Sequence, residues 1–139
     1  MEVISTIDKL IITFLKPYLE TLEEFYSSVD QNVIEIHCLR NKEDKNRFML
    51  LRMGINFDNE EFYIYNIHIP IEDRRKGLGY GLIAFIYEIA KKLGFALVIA
   101  DMTENFRKKM VSRGAKKTKI YDCLQVVDTT DLKVRSNIP

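Results

Sequence analysis

The residues best suited to chemistry lie in one stretch, Arg74-Arg75-Lys76-Gly77-Leu78-Gly79-Tyr80-Gly81. Three consecutive cations run into three alternating glycines. Glycine lets a main chain approach a ligand closely, and arginine offers paired donors to an anion. Apolar residues at helical spacing follow (Leu82, Ile83, Ile86, Ile89, Ala90 and Leu93), so the stretch opens a helix. Free amides and the positive end of a helix dipole converge there, which favours a phosphate. An exposed basic turn with a helix-capping glycine is the plain structural alternative.

Three phosphate-binding patterns can be laid on this stretch. The P-loop, G-x-x-x-x-G-K-[ST], is absent. The dinucleotide fingerprint needs G-x-G-x-x-G and an acidic residue about 20 positions on. Here the glycines read G-x-G-x-G, and Asp101 stands near that distance. That turn normally follows its strand tightly, whereas seven residues separate Ile69 from Gly77. The third pattern, R/Q-x-x-G-x-G/A, is filled by Arg74, Gly77 and Gly79.

The elements that must hold this loop are legible on both sides. Residues 78–93 read as a helix stopped by Gly94. Residues 95–100 (FALVIA) are continuously apolar, as in a strand buried on both faces. The preceding strand, 61–69 (EFYIYNIHI), should therefore run parallel to it across a right-handed crossover. Residues 32–39 and 47–56 read as two further strands, with polar turns at 41–46 and 57–60, giving an antiparallel meander. Thr103 caps a helix over 104–112 that ends at Gly114, and 116–120 with 123–128 form a closing hairpin linked by Tyr121-Asp122. At the start, Ser5 and Asp8 resemble a capping box for a helix over 5–15 whose face is Ile7, Leu10, Ile11, Phe14 and Leu15. Pro17 should then open a second helix with Tyr18, Leu22, Phe25, Tyr26 and Val29 on its face. The tail after Thr130 should fray.

The strand before the loop, the loop and the helix after it resemble the GNAT superfamily of acyl-CoA-dependent N-acyltransferases. The stretch from Ile69 through Pro70 to Gly79 is similar to that family's V-x-P-x-x-R-x-x-G-x-G, with the proline displaced by one position. Asn105-Phe106 and Arg113-Gly114-Ala115 are similar to its later segment. The resemblance implies one α/β (α+β) domain over residues 1–139: a mixed, mostly antiparallel sheet with a central parallel strand pair, flanked by helices. It implies acetyl-CoA as cosubstrate, with the diphosphate on the main-chain amides of Arg75, Gly77, Gly79 and Tyr80. Arg74, Lys76 and Leu78 complete the loop. Pantetheine would pair with the strand end at Ile67–Ile69, strand addition by a cofactor, where the parallel strands splay. Asn105 would bond near the pantetheine, and Lys108 and Lys109 could meet the 3′-phosphate, though a solvated helix face is the readier explanation for them. The family's usual first strand looks short or missing, since helix signals begin near Ser5.

Acyl transfer to an amine needs a neutral amine, a polarised thioester carbonyl and a route for the thiolate. Main-chain N–H near Ile69 could polarise the carbonyl. His68, Asp101 and Glu61 are the candidate bases near the strand ends. A surface histidine, a loop-capping aspartate and a strand-start glutamate are their ordinary readings. Many family members carry a tyrosine as thiolate acid where this chain has Met110, which cannot donate a proton. Tyr80 and Tyr121 are the possible stand-ins. A non-catalytic acyl-CoA-binding protein on the same fold is therefore the alternative.

Composition narrows the remaining classes. With 139 residues, 47% of them hydrophobic, and net charge +1, the chain can bury a core and is not a disordered polymer. Cys38 and Cys123 have neither disulfide-scaffold nor zinc spacing. No run of about 20 apolar residues could span a membrane, and acidic and basic residues break the first stretch as a secretory signal. A soluble, cytoplasmic protein is expected. Residues 1–63 hold 12 acidic and 7 basic residues, whereas 64–139 hold 8 and 14, so the second half is basic. A basic half suits an anionic ligand. Arg107, Lys108, Lys109, Arg113, Lys116, Lys117 and Lys119 could form a nucleic-acid face, although such runs are usually solvated. The expected partners are acetyl-CoA and an amine on a small molecule or protein; the resemblance also admits a homodimer.

Overall fold

The computed structural model describes residues 2–43, 47–74 and 77–133. Helix α1 (Glu2–Leu19) leads into strands β1 (Glu24–Asp30), β2 (Val33–Leu39), β3 (Arg47–Asn56) and β4 (Glu61–Ile67), each antiparallel to the one before. A 3-10 turn at Ile71–Asp73 precedes α2 (Leu78–Leu93), β5 (Ala96–Ile99), α3 (Glu104–Ser112), β6 (Lys116–Lys117) and β7 (Leu124–Val126). The strands form one sheet in the order β1-β2-β3-β4-β5-β7-β6. Only β4 and β5 pair in parallel, Glu61 opposite Ala96 through Ile64 opposite Ile99. The chain is thus mixed α/β, with three α-helices among the described residues and a mostly antiparallel sheet. No helix there is long and apolar enough to cross a membrane.

One face of the sheet and the helices share a single buried cluster. Ile34, Ile36, Met53, Phe62, Ile64, Leu97 and Ile99 alternate inward along their strands, as period-two patterning requires. Ile4, Ile7, Ile11, Leu15 and Leu19 of α1 and Leu82, Ile83, Ile86 and Ala90 of α2 meet them. The stacked rings of Phe14 and Phe85, 4.6 Å apart, join the two helices. Gly94 takes the left-handed conformation (φ 76°) that ends α2, and Thr103 accepts the Phe106 N–H at 3.2 Å to start α3.

The amino-terminal region departs from expectation. Helix α1 begins at Glu2, so Ser5 lies inside it and Asp8 does not box its end; the Asp8 carboxylate accepts from Ser27 Oγ of β1 instead. Pro17 opens no second helix. It sits in the last turn of α1, where it removes one hydrogen bond, and the Glu20 N–H still reaches Lys16 O at 2.9 Å. Burial of Leu19 and a bond from Tyr18 offset that loss. Phe25, Tyr26 and Val29 lie on β1, held by seven residue pairs with β2. The sheet therefore has its outer strand, placed after the helix and turned straight into β2.

Elsewhere the differences are short. Strand β4 ends at Ile67 rather than Ile69, and β5 covers 96–99 rather than 95–100. The closing hairpin shrinks to β6 and β7 because Thr118 Oγ1 bonds Ile120 O and Cys123 O and rounds off a wider link. The turn at 41–46 and the tail after Thr130 fall partly outside the described residues.

Candidate functional site

The site is built where β4 and β5 part. Their ladder closes with the Ala100 N–H on Ile64 O at 2.8 Å. Beyond it β4 carries a bulge: Arg52 faces Asn66 and Met53 faces Ile64, leaving Tyr65 as the extra residue. A bulge bends its strand and raises the local twist. On the other side Asp101 takes a left-handed φ of 54° and turns the chain away into α3. Pairing of the two strands thus ends at Ile64 opposite Ile99.

Main-chain direction in the gap follows from the ladder. The His68 N–H donates to Leu50 O of β3 at 2.9 Å. Backbone groups alternate sides along a strand, so Ile67, the last residue of β4, directs its own away from β3. The Ile69 carbonyl is taken by Arg74 Nε at 2.7 Å. That bond folds the approach loop back on the strand end.

The glycine loop meets α2 at Gly77, with Gly77 through Tyr80 half-buried. Gly77 takes a left-handed φ of 69°, a conformation that favours glycine, and offers no side chain to cap the helix. The first turn holds no acidic residue. The Gly81 N–H is the first to bond within the helix, to Gly77 O at 2.9 Å, so those of Leu78, Gly79 and Tyr80 have no intrahelical acceptor. A Cβ added at Gly79 would meet nothing within 4 Å. Arg75 and Lys76 lie outside the described residues.

A second set of groups, separate in sequence, closes around the loop. Asp73 accepts the Tyr18 hydroxyl at 2.6 Å and pairs with Arg40 Nε at 3.3 Å. Burial first, then the bond to Asp73, raises the Tyr18 pKa and keeps the hydroxyl protonated. Beside this network lies a cleft of about 630 Å³ between the end of α1, the corner after β2 and Leu78, the first residue of α2. Sequence reasoning passed over Tyr18, Arg40 and Asp73. Only Asp73, beside the cations, offered a signal.

The candidate catalytic residues sit on separate segments. His68 is exposed and sets its ring edge-on to Phe48, centroids 5.9 Å apart. Asp101 is exposed where the strands part. Among the described residues no hydrogen bond joins the two. Glu61 stands at the far end of β4 and accepts the Tyr63 hydroxyl. Asn105 is exposed on the first turn of α3.

Met110 is fully buried in the core. Both stand-in tyrosines are engaged. Arg113 lies 3.8 Å over the Tyr80 ring, and Arg107 lies 3.8 Å over Tyr121. The Tyr121 hydroxyl donates to Glu104, which raises its pKa. Those contacts also draw two arginines out of the basic run. Lys108, Lys109, Lys116, Lys117 and Lys119 remain exposed.

A second cleft, of about 380 Å³, lies at the opposite end of the sheet around Asn32, Asn56 and Tyr65 and is remote from the loop. Among the described residues no three His, Cys, Asp or Glu side chains gather to hold a metal ion. Comparison of the chain with known protein families, curated proteins and solved structures gives no match.

Proposed function

We propose that the protein is an N-acetyltransferase on a GNAT-like fold, acting in the cytoplasm and moving an acetyl group from acetyl-CoA to the primary amine of a substrate still to be identified. One arrangement carries the reading: β4 and β5 stop pairing at Ile64, and the segment leaving β4, folded back by Arg74 on Ile69 O, leads into a helix start at Gly77–Tyr80 that has no side-chain cap. The helix start suits a diphosphate through its amides and dipole. The open edge at Ile67 and Ile69 suits an extended amide-bearing chain such as pantetheine. The Ile69 N–H then polarises the thioester carbonyl as the amine attacks. Attack forms the new C–N bond and expels the thiolate, while the amine proton passes to His68 or Asp101, directly or through water.

The alternative, an acyl-CoA-binding protein without turnover, is favoured by one observation. Met110 occupies the core where a proton donor would stand, and Tyr80 and Tyr121 are covered by arginines. Isothermal titration with acetyl-CoA tests both readings, and acetyl-CoA consumption over a panel of amines separates them. Binding with turnover supports the enzyme. Binding without turnover supports the alternative. No binding at high micromolar concentration removes both.

A further inference from the structure

We infer that the open edge of β1 is an interface between two copies of this chain, paired antiparallel about a two-fold axis at Ser27 so that their sheets run on as one. The contact is independent of the glycine loop, which lies between β4 and α2, and of whatever that loop binds.

Backbone direction comes first. Strand β1 stands at one end of the sheet order and, among the described residues, pairs with β2 alone. The Asn32 carbonyl accepts the Ile55 N–H of β3 at 2.9 Å. The next residue, Val33, therefore turns its own groups the other way, onto Asp30 of β1. Alternation back along β1 gives the groups of Ser28 and Tyr26 to β2. It sends the N–H and C=O groups of Phe25, Ser27 and Val29 to the open side.

Strand β1 lacks the usual guards of a sheet edge. Edges are commonly blunted by short strands, lysine, proline or bulges. This one, EFYSSVD, is seven residues long, holds no lysine or proline, and keeps an unbroken register with β2. Six of the seven are exposed, so the edge is open to a partner. At its middle, Ser27 Oγ donates to one oxygen of Asp8 at 3.1 Å. The other, Asp8 Oδ1, is buried with no partner among the described residues. The edge thus carries an unmet acceptor beside its free main-chain groups.

Symmetry and charge then select a second copy. The outward residues Phe25 and Val29 stand evenly about Ser27, so another β1 laid antiparallel presents its own three in matching register. Ser27 meets the partner's Ser27, and Phe25 meets the partner's Val29. Each such pair exchanges two main-chain bonds. Phe25 and Val29, each 38% exposed in one copy, then cover one another, an aromatic on a β-branched side chain. At the strand ends Glu24 comes opposite the partner's Asp30. Glu24 is already paired with Arg47 at 2.9 Å, so that aspartate meets an ion pair rather than a lone carboxylate.

Sedimentation equilibrium over a range of concentrations, with amide hydrogen exchange followed by NMR, tests this on the whole protein. The expected result is a monomer–dimer equilibrium in which exchange at Phe25, Ser27 and Val29 slows as the dimer fills. Val29→Lys sets a charge in the apolar pair and should raise the dimer dissociation constant at least about tenfold. Ser27→Pro removes an outward N–H that β2 does not use and should do the same. If that variant does not fold, Val29→Lys, at an exposed position, decides alone. A chain that stays monomeric to about 1 mM, a dimer in which those three amides exchange as fast as in the monomer, or a constant unmoved in folded Val29→Lys would overturn the inference. Acetyl-CoA enters none of these measurements, so the acetyltransferase reading stands or falls separately.

Discussion

The hydroxyl of Tyr18 donates to the Asp73 carboxylate across 2.6 Å of space and 55 positions of sequence. This bond ties the last turn of α1 to the segment that enters the glycine loop. Arg40 joins it from the corner after β2, so three distant pieces of chain meet at one carboxylate. Next to it Arg74 holds Ile69 O. The segment that leads into the loop is thus anchored from two sides, at Asp73 and at Arg74.

Tyr18→Phe removes the hydroxyl and keeps the ring. A hydrogen bond to a charged acceptor is worth about 1.5–3 kcal/mol. Urea denaturation should show a loss of that size, and the affinity for acetyl-CoA should fall as the loop loosens. Unchanged stability together with unchanged affinity would show that the bond positions nothing.

Alkaline pH should weaken the fold with a defined sign. Burial and Asp73 raise Tyr18, the Glu61 bond raises Tyr63 to about 12, and burial with Asp128 raises Tyr87 to about 12. A tyrosine with a raised pKa holds its proton more tightly when folded. Its stabilisation is complete below about pH 10, where the unfolded side chain is still protonated, and is lost as pH climbs toward the folded values. Urea midpoints should fall as pH rises from about 10 toward about 12, and Tyr18→Phe should fall less than wild type. An equal fall in both would remove Tyr18 from the cause.

Met110→Tyr should not supply the missing acid. The side chain is fully enclosed by core residues, and enlarging it overpacks the interior at a cost of about 1–3 kcal/mol. Thermal unfolding should show that loss, with no gain in acetyl transfer. A folded variant with faster turnover would mean that this position faces the thiolate.

If proton transfer runs through the strand ends, His68→Gln or Asp101→Asn lowers kcat by about a hundredfold with little change in acetyl-CoA affinity. Glu61→Gln should leave kcat alone, because that carboxylate stands at the far end of β4 bound to Tyr63. Loss of turnover from Glu61→Gln alone would move the reacting centre to the other end of the sheet.

Much of this architecture could be read in advance where local and tertiary preferences agree. Helices α2 and α3 and strand β3 fall at their expected bounds, since caps at Thr103 and Gly94 and clean apolar periods mark them. Residues 18–30 misled because Tyr18, Leu22, Phe25, Tyr26 and Val29 fit a helical period as well as a strand composition. Strand β1 lies at the sheet's edge and is mostly exposed, so it shows none of the inward-outward alternation that marks β2. Pairing with β2 decided the matter, and no local signal carries that. The glycine loop was visible as a pattern of residue types. The network at Asp73 was not, because its three members meet only after folding.

The most direct measurement is calorimetric titration of acetyl-CoA into the wild-type protein and into Gly79→Asp. A Cβ at Gly79 meets nothing within 4 Å, so the variant should fold, while its carboxylate would stand beside amides that await a diphosphate. Saturable binding to wild type, lost in a folded Gly79→Asp, is the expected result. Absence of binding to wild type, or undiminished affinity in the variant, would contradict a diphosphate site at the start of α2.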